Sequence, residues 1–273
     1  MLNHLPTVCA MNTTLQPYVL FGSTKPWLPP PWTTTDDRVR GGASQSYLSA
    51  LPDNCANFHG HLDTSTLGGA GFASQFSPPE AAGTAKDGGD EERSWDLSAY
   101  DGIEVEVVAG TGDRKIYTLI LKDEEAAGKR GDGREKAGIN WEVDFKVGGE
   151  EGEGGGDVTR FFAPWRGFKA TFRGKEKEDA GELKKGEVRW IGLMMRSYFG
   201  KQEGDFGVVL RAICARKTNA GEEGGAEERN AMDAVGRSQG PGPENTDTAD
   251  HRLGKERGIG WIDWVSGLCT FRG

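Results

Sequence analysis

Residues 103–122, IEVEVVAGTGDRKIYTLILK, admit two folds at first sight and exclude one of them on closer reading. Ile103, Val105, Val107 and Ala109 alternate with Glu104 and Glu106, the period-two pattern of a strand with one face on a core and the other in water. A glycine turn follows, and then KIYTLILK at 115–122, apolar on both faces as a central strand is. A strand running into glycines is also how dinucleotide sites begin. That fingerprint needs a third glycine and a helix whose N-terminus receives the pyrophosphate. Here Asp113, Arg114 and Lys115 lead straight into another strand, so the glycines belong to a hairpin turn.

The same alternation recurs on both sides. Trp141, Val143 and Phe145 alternate with Glu142, Asp144 and Lys146. Ile191, Leu193 and Met195 alternate within 188–199, and Phe206, Val208, Leu210, Ala212 and Cys214 within 205–216. Shorter strands fit 45–51, 56–62, 70–76, 159–163 and 168–173. About ten strands with no helix between them predict an all-β chain, a β-sandwich or jelly roll, and rule against any βαβ arrangement.

The 273 residues have a formal net charge of -9 and a mean hydropathy of -0.59. An acidic chain is a poor candidate for neutralising phosphates, so no nucleic-acid partner is expected. The charge is concentrated in three segments poor in large apolar residues: 80–94, 148–157 (GGEEGEGGGD) and 217–257. Together they carry the whole of the net negative charge. They cannot bury enough apolar surface to offset the entropy of ordering them. The expected organisation is a flexible N-terminus at 1–16, a sandwich domain at 17–216 with insertions at 80–94 and 148–157, a disordered linker at 217–257 and a short amphipathic tail at 258–273.

Cys9, Cys55, Cys214 and Cys269 are far apart, without a C-x-x-C pair, and read as free thiols. His59 and His61 share a strand face with Cys55 nearby, but no fourth zinc ligand is evident; two solvent-face histidines are the plainer reading. RGFKATF at 166–172 faintly echoes an RNA-recognition strand, yet the helices of that fold are missing. There is no G-x-S-x-G, H-E-x-x-H or P-loop. The expectation is therefore no catalytic residues, no cofactor and no metal.

Three blocks combine glycine, arginine and aromatics unusually densely: WTTTDDRVRGGASQSYL at 32–48, LDTSTLGGAGFASQF at 62–76 and LMMRSYFGKQEGDF at 193–206. With WDLSAYDGIEVEV (95–107), INWEVDF (139–145) and APWRGFKATFRGK (163–175), they resemble the complex I intermediate-associated protein 30 family from about Tyr18 to Arg216. The resemblance implies a galactose-binding-like β-sandwich. It also implies a non-enzymatic mitochondrial assembly factor, a chaperone-like protein holding partly built membrane-arm subunits of NADH:ubiquinone oxidoreductase alongside other assembly factors. The rival expectation is a sandwich module that binds carbohydrate or another small ligand. The first 35 residues contain no acid but only one base, Lys25, which makes a poor transit peptide and leaves a cytosolic paralogue as the alternative location.

In the first block Asp37, Arg38 and Arg40 precede a glycine pair suited to a tight turn; the arginines would fork onto carboxylates of the domain or of a partner. Gly68, Gly69 and Gly71 remove side chains where a backbone or ligand approaches. Arg196 takes the polar phase of its strand, and Gln202, Glu203 and Asp205 form the following turn. If they converge, Asp37, Arg38, Arg40, Arg196, Gln202 and Asp205 make the candidate partner-binding surface. In the tail, Trp261, Trp264, Val265 and Leu268 fall at i, i+3, i+4 and i+7, one face of a short helix. That helix either docks back on the sandwich or makes a peripheral membrane contact.

Overall fold

The period-two segments pair antiparallel throughout the computed structural model, which describes residues 15–27, 32–77, 94–123, 137–147 and 157–218. The strands are β1 (Tyr18–Gly22), β2 (Thr33–Asp36), β3 (Gln45–Ala50), β4 (Ala56–Leu62), β5 (Phe72–Phe76), β6 (Gly102–Val108) and β7 (Ile116–Lys122). They continue with β8 (Ile139–Lys146), β9 (Val158–Pro164), β10 (Lys169–Phe172), β11 (Lys175–Glu176), β12 (Trp190–Arg196) and β13 (Gly204–Arg216). One sheet runs β3-β4-β13-β6-β9, with β1 also on β13; the other runs β11-β10-β8-β7-β12-β5-β2. All ten segments expected from alternation are strands. The tail residues Trp261, Trp264, Val265 and Leu268, the linker beyond Thr218 and nearly all of the two insertions lie outside the described residues.

The alternating apolar residues meet between the sheets. Ile103, Val105, Phe58, Val208 and Leu210 come from one side, and Leu119, Leu121, Ile191, Leu193 and Met195 from the other, each at most 1% exposed. One end is closed by Phe21, which packs on Trp27 (5.6 Å), Trp32 (4.9 Å) and Trp95 (5.8 Å). The middle is filled by Tyr117, 5.8 Å from Phe145 and 6.1 Å from Phe58. Such ring pairs add about 0.5–1.5 kcal/mol each beyond their buried area. No tryptophan is among the exposed large apolar residues of the described chain.

Alternation misjudged three side chains. Glu104, expected in water, is 5% exposed because Arg216 ion-pairs with it and Arg160 reaches it at 4.0 Å from the edge strand β9. Glu142 is likewise 5% exposed, covered by Arg196 and Thr171. Ala109, expected in the core, is exposed, since β6 ends at Val108. In both acidic cases an arginine is laid over a carboxylate, from the adjacent strands β13 and β9 for Glu104 and from β12, across β7, for Glu142, which satisfies it away from water.

Cys214 gives a chemical check on the packing. Burial, followed by the charges of Glu106 and Glu104, pushes its thiol up to about 12. The thiolate is the nucleophile, so Cys214 is expected to resist iodoacetamide at pH 8 in the native protein. It should label only after denaturation, as peptide-resolved mass spectrometry would show.

Candidate functional site

The three glycine- and arginine-rich blocks meet at one end of the sandwich, cross-linked through backbone groups. Asp36 caps the 3-10 turn Asp37–Arg40, accepting the Arg38 N–H at 3.2 Å, and Gly41 closes it with φ 84°. This sends Asp37 inward. Asp37 is 1% exposed, and its carboxylate accepts the backbone N–H of Ser44 at 2.9 Å and of Phe72 at 3.1 Å. A Cβ on Gly42 would overlap that carboxylate, so the glycine pair closes the chain around it.

The second block joins the third. Gly71 lies so close to the Asp63 carbonyl that a side chain has no room, whereas Gly68 and Gly69 are required for their left-handed φ of 60° and 92°. Ser65, then Thr66, hold the Asp63 carboxyl down to about 2 by hydrogen bonds, which shapes the start of this loop. Ser197 donates its N–H to Gly71 O and its Oγ–H to Gly69 O, both at 2.9 Å. Thr64 donates to Glu203. Gln202 accepts from the Ile116 N–H at 3.0 Å and donates to Ile116 O and Arg196 O at 2.9 and 2.7 Å.

Between Ser197 and Gln202 the chain does something alternation gave no sign of. The strand expected to reach residue 199 ends at Arg196. Tyr198, Phe199 and Gly200 then follow with φ of 45°, 58° and 77°. This is a left-handed turn, closed by Lys201 N–H and Gln202 N–H donating to Ser197 O. Two of its residues carry a Cβ, and each costs about 1–2 kcal/mol in that conformation. The clamps from Ser197 and Gln202 hold it there. Tyr198 turns back over the sheet, with its hydroxyl 3.4 Å from Thr118 Oγ1, and burial pushes that hydroxyl up to about 12. Phe199 turns outward and is 71% exposed.

The six candidate residues do not form one surface. Asp37 and Gln202 are corrected from surface contacts to internal fasteners, because each spends its polar atoms on backbone groups. Arg38 lies at the sheet edge, forked onto Asp36 with Nη2 at 2.7 Å from the carboxylate. Arg40 points the other way, its guanidinium 5.6 Å over the Phe72 ring, and burial followed by the charge of Arg173 lowers its pKa. Phe72 is the cross-strand partner of Arg196, so Arg40 and Arg196 share the outer face of the seven-stranded sheet. Asp205 lies on the outer face of the other sheet, opposite His61, with its Oδ1 2.7 Å from the imidazole Nδ1. The expected convergence of Arg38, Arg40, Arg196 and Asp205 therefore fails, because each sheet has its own outward side.

Arg196 does not meet a partner with free hands. It donates from Nη1 to Glu142 at 2.8 Å and from Nη2 to Asp144 at 2.6 Å, and stacks 4.8 Å over the Tyr198 ring. Thr118 Oγ1 donates to the same Asp144 oxygen at 2.7 Å. Both of its terminal nitrogens are thus spent on carboxylates of its own sheet. Phe72, Glu142, Tyr198 and Phe199 were missed by sequence reasoning. The one pointer, to Tyr198 and Phe199 alone, is the S-Y-F-G string directly after a strand, where a glycine behind two aromatics suggests a turn.

The histidines are placed as expected on one solvent face. His59 Nε2 is 3.0 Å from Ser49 Oγ and its ring stacks 5.5 Å from Tyr47. Cys55 instead points its Sγ at Asp53 O. Among the described residues no group of three or more His, Cys, Asp or Glu is placed to hold a metal ion, and no helix is long and apolar enough to cross a membrane.

An uncharacterized protein of Schizosaccharomyces pombe is 37% identical over 206 residues, which cover 74% of this chain and 84% of that protein. The family 11 carbohydrate-binding module of a cellulosomal cellulase of Clostridium thermocellum is similar in structure at a TM-score of 0.47 and 13% identity. That match covers 76% of this chain and 98% of the module. The family 11 module from the same organism, in complex with a beta-1,3-1,4-mixed-linked tetrasaccharide, matches at 0.46 and 11%, covering 71% and 93%. The sequence profile of complex I intermediate-associated protein 30 matches residues 21–210, the stretch that holds all three cross-linked blocks. The chain belongs to the complex I intermediate-associated protein 30 family.

Proposed function

We propose that this protein is a non-enzymatic assembly factor of respiratory complex I, working in the mitochondrion. In this reading it holds membrane-arm intermediates by protein–protein contact, in the company of other assembly factors. The observation that carries the reading is the match over residues 21–210, with its blocks tied into one end of the sandwich. Asp37, Ser197 and Gln202 make that end stiff, and a stiff surface loses little entropy when it binds. The packing of Trp27, Trp95 and Trp141 into the core also leans away from a sugar-binding face.

One observation favours a second reading. Asp144, 40% exposed, lies beside the half-buried Arg196 and Tyr198 on the outer face of the seven-stranded sheet, a polar patch open to a small ligand. A small-ligand or carbohydrate module, working in the cytosol, would use that patch.

Affinity purification of the tagged full chain from fractionated cells separates the two. Recovery of complex I membrane-arm subunits from the mitochondrial fraction supports the assembly role. A cytosolic pool without those subunits retires it in favour of the ligand module.

A further inference from the structure

Phe199 has no role inside the sandwich that would explain its position. Its ring is the most exposed large apolar side chain of the described chain, at 71%. It stands on three consecutive left-handed residues, a conformation that neither Tyr198 nor Phe199 favours. Such conformations persist where the surroundings impose them, and they cluster at functional positions. The surroundings here are the Ser197 bonds to Gly69 and Gly71 and the Gln202 bonds to Ile116 and Arg196.

The ground around the ring is bare. Among the described residues, no atom other than those of the chain neighbours lies within 4 Å of where a Cβ on Gly68 or Gly200 would be, and what Gly69 faces is the backbone of Phe199 and Gly200. The ring is thus a convex knob beside a shelf without side chains, so an occupant has to supply the concavity. A lipid surface is a poor occupant, because one ring cannot hold a protein there when even a whole acyl chain binds reversibly. A sugar ring stacks on an aromatic that has polar groups converging beside it. Of the polar side chains flanking this ring, Glu203 is held by Thr64 and Tyr198 turns toward Thr118, so neither converges on it.

We infer that Phe199 is a docking knob, a ring held ready on the left-handed turn to enter a phenyl-sized apolar pocket of a partner protein. The partner's identity rests on the assembly-factor reading: an intermediate of the complex I membrane arm. The surrounding glycines let the pocket's rim close flush on backbone, and the stiff turn spares the cost of ordering the ring at the moment of binding.

The test uses the full chain carrying Phe199→Gly, with Phe199→Leu beside it, each tagged and expressed in place of the native copy. Glycine suits a φ of 58°, so the melting temperature of F199G should stay level or rise. Membrane-arm subunits captured from solubilised mitochondria are quantified by mass spectrometry. The wild type should retain them, F199G should bind about thirtyfold more weakly or worse, as for a buried aromatic anchor, and F199L should fall between. If the wild type and F199G capture those subunits equally, the knob is refuted and the assembly role stands. If the wild type captures none, both fall together. A mixed-linkage glucan oligosaccharide that binds the wild type and not F199G would overturn the protein partner in favour of a sugar.

Discussion

Replacing Asp37 by alanine should cost roughly 3–5 kcal/mol of folding stability, read as a drop in the urea midpoint at unchanged slope. Two backbone N–H groups, of Ser44 and Phe72, depend on its carboxylate in a site 1% exposed. An orphaned buried donor costs about 1–3 kcal/mol, and two are orphaned at once. For a domain of this size that loss lowers the melting temperature by about 10 °C. Asp37→Asn keeps one acceptor and should lose about half as much. A loss below 1 kcal/mol in D37A would mean that the first and second blocks are not fastened in this way.

Removing the guanidinium of Arg196 should be as damaging for a different reason. The Glu142 side chain is 4% exposed, and Arg196 is its charge partner. Taking one member from a buried pair leaves an uncompensated charge, typically at about 3–5 kcal/mol, whereas replacing both with neutral groups is often close to neutral. Arg196→Ala should therefore be far less stable than the double variant Arg196→Met/Glu142→Gln. Arg196→Lys should recover only part of the loss, because an ammonium cannot bridge Glu142 and Asp144 as the planar fork does. Asp144→Asn, at 40% exposure, should change stability by about 1 kcal/mol or less. Equal destabilisation of R196A and the double variant would assign the effect to lost packing instead of charge.

The sequence made the sandwich legible because its central strands alternate cleanly, as at 103–108 and 205–216. β2 was hidden, since its Thr33, Thr34 and Thr35 are all exposed at a sheet edge and carry no apolar period. The burial of Glu104 and Glu142 was hidden too, because the arginines that cover them come from strands distant in sequence. The site was legible as composition and illegible as geometry. The dense blocks marked the right end of the molecule, but Asp37 and Phe72 are 35 residues apart, and nothing local shows that one holds the other. Arg38 and Arg40 looked like a pair, yet the short 3-10 turn points one at the edge and the other over Phe72. The left-handed turn at 198–200 resisted prediction most strongly, because tyrosine and phenylalanine after a strand ordinarily extend it.

Loss of the gene tests the proposed role most directly. In the source organism, mitochondria from a disruption strain would be resolved on native gels and stained for NADH:ubiquinone oxidoreductase activity. The account predicts that assembled complex I is depleted, that a membrane-arm intermediate accumulates, and that the wild-type chain restores the complex. Complex I at its normal level and size in the disruption strain would contradict it.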